Sequence, residues 1–168
     1  MYQKILLQLR QAQTVASFCW GNDGVQVGKV LGWNDDEILI AHITAGGYYD
    51  GYVLRTLCGL SNVTFGGKYE QKIEKLYLKK EQKHHFAVGN NGTLWDSMLQ
   101  YAQQEKLVVT AESGSESVTG YIAEWDDATL ILQVLDSYGE NDGYGIVLRD
   151  QMDLLAVDTD YEQDLKLL

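Results

Sequence analysis

The chain has 168 residues and no proline. Its turns must therefore be built from Gly, Asn and Asp, and 17 glycines are available. There are only two cysteines, Cys19 and Cys58. That is no disulfide framework, so a reduced, cytoplasmic protein is expected. No apolar run approaches the roughly 20 residues that span a bilayer, so no membrane role is expected. The opening MYQKILLQLRQAQ lacks the long apolar region and cleavage site of a signal peptide. Basic residues are scarce in the second half. Residues 93–168 hold 3 Lys/Arg against 16 Asp/Glu, a net −13, whereas residues 1–92 hold 10 against 8, a net +2. Nucleic acids are gripped by Lys/Arg contacts to phosphate, so the second half is a poor candidate for RNA and DNA is not expected. A phosphate-binding loop, a nucleophile elbow and a dinucleotide fingerprint are all absent. No catalytic residues, no cofactor and no enzyme activity are expected. His42, His84 and His85 show no metal-ligand spacing, and the latter two are expected to be solvated.

What is present is a sequence written twice. From residue 28 to 44 an offset of 92 pairs Gly28, Trp33 and Asp35 with Gly120, Trp125 and Asp127. The same offset pairs Val30, Ile38, Ile40 and Ile43 with Ile122, Leu130, Leu132 and Leu135. From residue 51 to 65 the best offset becomes 94. There Gly51, Val53, Leu54, Arg55, Leu60 and Val63 meet Gly145, Val147, Leu148, Arg149, Leu154 and Val157, 6 identities in 15 positions. The change implies a two-residue insertion around 137–141, since turns absorb insertions and strands do not. Tyr52 then stands opposite Ile146. Tyr69-Glu70-Gln71 matches Tyr161-Glu162-Gln163 at 92 again. The expected organisation is a unit over 1–78, a linker over 79–92 that ends in the turn signal Asn91-Gly92, and a second unit over 93–168. An apolar content of 45% is enough for two small cores.

Each unit reads as one helix followed by short strands. Ile5, Leu6, Leu9, Ala12 and Ala16 recur at helical spacing over 2–16. Thr93 caps the copy over 94–106, with Asp96 in a capping-box position. Apolar stretches follow the helices over 14–20 and 107–110. Strands are expected over 25–30, 38–43, 52–55, 60–65 and 72–78, with copies over 118–122, 129–135, 146–149, 154–157 and 164–168. The fold class is therefore mainly β with two helices, as two tandem small open β-barrels, each preceded by a helix.

Val27-Gly-x-Val-x-x-Trp-x-Asp and Val53-Leu54-Arg55, the latter echoed by Val147-Leu148-Arg149, resemble the two motifs of the Sm/LSm-like family. The resemblance covers both units and implies an Sm-like barrel in each. It implies RNA contact only in part. The turn Asp is present as Asp35 and Asp127, and the Arg as Arg55 and Arg149. The Asn expected in the next strand falls on apolar Leu39 and Ile131, and the Gly after the Arg is Thr56 or Asp150.

Candidate binding residues follow from the repeat. Arg55 and Arg149 either hold an anionic ligand through the planar guanidinium or pair with the turns at Asp35 and Asp127. The second is the simpler expectation. Trp33 and Trp125 are expected to pack at a barrel rim rather than to form a ligand platform. Tyr48, Tyr49, Tyr52, Tyr138 and Tyr144 crowd the Gly-rich turn and make the best candidate surface. The leading expectation is a non-catalytic interaction or scaffold protein whose two barrels form an intrachain pseudo-dimer, with a protein partner or self-association into rings. The alternatives are RNA binding through Arg55 and the run Lys68, Lys72, Lys75, Lys79, Lys80 and Lys83, or a peptide or small molecule held at the Tyr/Gly-rich turns.

Overall fold

The computed structural model describes residues 1–89 and 92–168, so Asn91 of the expected Asn91-Gly92 turn lies outside the described residues. The fold is mainly β with helices. Its elements are α1 (Tyr2–Ala12), β1 (Ala16–Cys19), β2 (Val25–Trp33), β3 (Glu37–Ile43), β4 (Tyr49–Thr56), β5 (Asn62–Phe65) and α2 (Lys68–Lys79). Then follow α3 (Leu94–Gln104), β6 (Val108–Ser113), β7 (Glu116–Trp125), β8 (Thr129–Leu135), β9 (Asn141–Leu148), β10 (Leu154–Val157) and α4 (Asp160–Leu167). Two compact units result. One is Met1–Tyr52 with Thr56–Ala87, and the other is Val88–Leu168 together with Val53–Arg55.

In the first unit the strand order is β5-β1-β2-β3-β4. Strand β1 pairs antiparallel with both β2 and β5. Strand side chains alternate between faces, and both faces of β1 are covered. Ala16 and Phe18 join Leu6 and Leu9 of α1 in one apolar cluster. Val15 joins Ile73 and Tyr77 of α2 in another. This double cover explains why β3 reads as a nearly unbroken apolar run rather than an alternating one. In the second unit the order is β10-β6-β7-β8-β9, again antiparallel. There α3 lies on β7 and α4 on β6.

Four helices stand where two were expected. Residues 72–78 and 164–168, read as strands, are the helices α2 and α4. The buried positions are Glu70, Ile73 and Tyr77 in α2 and Glu162 and Leu165 in α4. That is helical spacing, and the first buried residue of each is a glutamate, which hides the pattern from a hydrophobicity reading. The Glu70 carboxylate accepts from Ser17 Oγ at 2.7 Å and Thr64 Oγ1 at 3.0 Å. Glu162 accepts from Thr110 Oγ1 at 2.5 Å and completes a capping box with Thr159. The next residue repeats too. The Gln71 amide donates to the Gly66 carbonyl at 2.8 Å and Gln163 to Asp158 at 2.7 Å. The repeated Tyr-Glu-Gln is thus a device that seats a helix on its strand. Helix α1 is also shorter than expected, since the left-handed Gln13 stops it before Thr14.

The two-residue insertion does not exist. Offset 92 holds throughout: β4 to β9, β5 to β10 and α2 to α4 all begin 92 residues apart. The turn after β3 repeats bond for bond, Thr44 N to Tyr48 O and Gly47 N to Thr44 O against Asp136 N to Glu140 O and Gly139 N to Asp136 O. Tyr52 therefore corresponds to Tyr144, Arg55 to Val147 and Leu57 to Arg149. The physical reason is parity. A slip of one residue turns side chains to the wrong face, but a slip of two keeps them. The apolar pattern accepts either register, and turn geometry decides. Both units also carry a bulge at the same place, between Val30 and Gly32 and between Ile122 and Glu124. Two residues before each bulge stands a glycine that nothing else can replace. A Cβ on Gly28 would lie 2.0 Å from the Ala41 carbonyl oxygen, and one on Gly120 2.0 Å from that of Gln133.

Candidate functional site

The Gly-rich turn of the first unit is closed by the chain itself. A Cβ on Gly47, at φ +78°, would lie 2.4 Å from Leu76 Cβ, so α2 presses directly on the turn. Tyr48 is exposed, with the Lys80 ammonium 3.8 Å over its ring and bonded to the Gly46 carbonyl at 2.6 Å. Past α2 the segment at 82–86 folds back on β4. Gln82 Oε1 accepts from Tyr49 N at 3.0 Å, and Tyr52 Oη accepts from Phe86 N at 3.0 Å. Tyr52 is fully buried, edge-on to Phe86 and His84.

His84, expected to be solvated, is the centre of this cluster. One ring nitrogen, Nε2, lies 2.9 Å from the Gly51 carbonyl, which can only accept, so Nε2 carries the proton. Nδ1 then accepts from Tyr77 Oη at 2.8 Å. Tyr49 lies tilted against the ring, 4.6 Å between centroids. Burial pushes the His84 pKa down to about 4, against the raising effect of the Gly51 carbonyl. Burial likewise raises the Tyr77 phenol, with the bond to His84 opposing. Beside them His42 Nδ1 meets Asp50 Oδ2 at 2.8 Å. No three His, Cys, Asp or Glu side chains converge as a metal site among the described residues. The sequence signal for this cluster was weak, because a lone His in a polar stretch has no periodicity.

The equivalent turn of the second unit runs from Asp136 to Glu140. Gly139 is pressed by Leu165 and Leu168 of the C-terminal region, as Gly47 is by α2. Tyr138 and Tyr144 are exposed. Strand β9 stands at the end of the strand order. On it Tyr144, Ile146 and Leu148 are 71%, 68% and 53% exposed, whereas their counterparts Tyr52 and Leu54 on β4 are 0% and 1%. Spacing of two puts the three on one face. They form an apolar stripe along a free strand edge.

The remaining candidates take structural positions. Trp33 packs against the α1 cluster with the Arg10 guanidinium 5.7 Å over its ring. Trp125 is half-buried and registers across from Leu130, as Trp33 does from Ile38. Arg55 is buried within β4. Arg149 is not its counterpart. It follows β9, lies 4.9 Å over the Trp95 ring and donates to the Asp127 carbonyl at 3.3 Å. Asp35 and Asp127 are exposed in turns held by their neighbours Asn34 and Asp126, whose side chains cap the following amides. The basic run lies largely on α2. Lys68, Lys72, Lys75 and Lys79 are exposed at spacings of four, three and four, one stripe of the helix. No helix among the described residues is long and apolar enough to cross a membrane. Compared with known proteins, the chain matches no described family, no curated protein and no solved structure.

Proposed function

We propose that this is a non-catalytic assembly protein, built from two Sm-like small barrels, whose copies join by seating strand β9 of one chain on strand β5 of another. The barrel reading is supported by strand connection. In each unit the fourth and fifth strands stand at opposite ends of the strand order. A flat sheet of five strands would hold them roughly 19 Å apart. Only residues 57–61 link β4 to β5, and they turn, with Leu60 N bonded to Leu57 O. Trp20 Nε1, just past β1, reaches the Thr56 carbonyl at the end of β4 at 2.9 Å. Both contacts favour a sheet curled on itself. The second unit links β9 to β10 through residues 149–153 with a matching turn, Met152 N to Arg149 O.

The observation that carries the assembly reading is the divergence of β9 from β4. The same strand that is buried in one copy of the unit presents Tyr144, Ile146 and Leu148 to solvent in the other. Free strand edges with apolar faces recruit strands. Strand β5 is a fitting recipient. Within the second unit its counterpart β10 already receives Val53, which clusters with Leu154 and Ala156. Strand β5 borders a cleft of about 560 Å³ lined by Ile5, Leu57, Leu60, Val63 and Phe65. Charge agrees: β5 belongs to the +2 half and β9 to the −13 half. Such a contact is heterologous, so it generates a ring or an open chain rather than a two-fold dimer. Light scattering over a range of protein concentrations tests it. Assembly is expected at low salt and is expected to weaken with salt. Ile146→Lys should leave a monomer with an unchanged melting temperature. A wild-type monomer at every concentration and salt would sink the reading.

A second reading rests on the α2 lysine stripe, which suits single-stranded RNA. Arg55, being buried, does not contribute to it. A gel shift at roughly 50 mM salt that fades with added salt is its signature, and no shift removes it.

A further inference from the structure

The second unit has a cleft most of whose lining residues differ from their counterparts 92 positions earlier. The Arg10 side chain covers Trp33. Lys29 lies 4.9 Å over the Tyr77 ring, with the Glu74 carboxylate as its nearby opposite charge. In the second unit Arg10 becomes Ala102, Lys29 becomes Tyr121, Glu74 becomes Lys166 and Thr14 becomes Lys106. An arginine, a lysine, an acid and a threonine are thus replaced by an alanine, a tyrosine and two lysines. These residues line a cleft of about 400 Å³. Ala102, Leu107 and Ile122 form its apolar floor, Tyr121 an aromatic wall, and Lys106 and Lys166 its polar rim.

The charges make this more than a surface dent. Residues 93–168 contain three basic and 16 acidic side chains. Two of the three basic ones line this cleft, and no carboxylate is among the described residues that line it. Neither Lys106 nor Lys166 is held in an ion pair among the described residues. The volume lies in the range of small-molecule sites, where a mostly apolar lining carries a few converging polar groups.

We infer that the cleft between α3, β7 and α4 binds a small organic anion, an apolar body carrying one carboxylate or sulfonate. The apolar part covers Leu107 and Ile122 and packs on Tyr121, while the anionic head sits between the two lysines at the rim. Lysine offers a mobile point charge rather than a planar fork, which suits a single anionic head with loose geometry. This site is separate from the β9 edge, and its failure leaves the assembly reading untouched.

The test uses the full chain and anilinonaphthalene sulfonate, an apolar aromatic anion that fluoresces when desolvated. Saturable fluorescence with one site per chain is expected, displaced by octanoate but not by acetate or octanol. Lys106→Ala/Lys166→Ala should weaken the dye at least tenfold. Ala102→Arg, which restores the side chain of the first unit, should close the cleft with both lysines kept. Where Ala102→Arg disturbs the circular dichroism spectrum, the lysine pair alone decides, because both are exposed. Ile146→Lys should leave dye binding unchanged. Dye binding that survives the lysine pair, is lost with Ile146→Lys, or is absent from the wild type overturns the inference.

Discussion

Single residues in this protein matter most where the two units agree. Gly28 and Gly120 sit where the second strand of each unit crosses so closely that a methyl group would strike a backbone oxygen. Backbone cannot swing aside as a side chain can, so Gly28→Ala should cost at least about 3 kcal/mol, read as the urea midpoint. Gly21→Ala, where a Cβ meets nothing within 4 Å, is a useful contrast at φ +62°. It carries only the left-handed penalty of about 1–2 kcal/mol. Glu70 is held below the usual carboxylate range chiefly by the Ser17 hydroxyl, with burial opposing. A depressed carboxylate stabilises above its unfolded pKa and loses that contribution as pH falls. Glu70→Ala also strands the hydroxyls of Ser17 and Thr64, at a cost of about 1–3 kcal/mol at pH 7. His84 works in the same direction through the opposite chemistry. Its folded pKa of about 4 lies below the unfolded value, so the folded state resists protonation. Its contribution is full above about pH 6.5 and falls away between there and pH 4. The stability of wild type should therefore fall more steeply over that window than that of His84→Gln, by on the order of 2–3 kcal/mol in total. Parallel slopes in chemical denaturation at pH 7 and pH 4.5 would remove His84 from the account.

At the scale of elements, the sequence was informative about strands and blind to two helices. Short runs rich in β-branched and aliphatic residues at 38–43 and 129–135 mark β3 and β8. Helices α2 and α4 were missed because each begins its buried face with a glutamate. A carboxylate that accepts from buried hydroxyls looks, in one dimension, like a solvated one. The register of β9 is hidden from the sequence for a different reason. Val-Leu-Arg at 53–55 and 147–149 is a real likeness in sequence, yet a two-residue slip preserves which side chains face inward. Only the turn bonds at Gly47 and Gly139 fix the frame. The candidate tyrosines were legible as a group, but not their fate. In the first unit they are covered by residues 82–86, and in the second they stand open. Phe86→Ala should expose Tyr52, raise its accessibility to iodination and lower the melting temperature, with β9 unaffected.

For the molecule as a whole, duplication followed by divergence is the organising fact. What both units share seats helices and bends strands. What differs is charge, the residues that line the cleft of the second unit, and the exposure of β9 against β4. The second unit ends its strand order in the open strand β9, and the first ends its own in β5 beside an apolar cleft. The decisive measurement is light scattering on a mixture of two variants. Ile146→Lys blocks β9 and leaves β5 intact, whereas Phe65→Lys blocks β5 and leaves β9 intact. Each alone should be a monomer of 18.9 kDa. Mixed in equal amounts they should form one species of twice that mass, 2 × 18.9 = 37.8 kDa, and nothing larger. Two monomers that ignore each other, or variants that assemble alone as the wild type does, would contradict the β9-to-β5 contact.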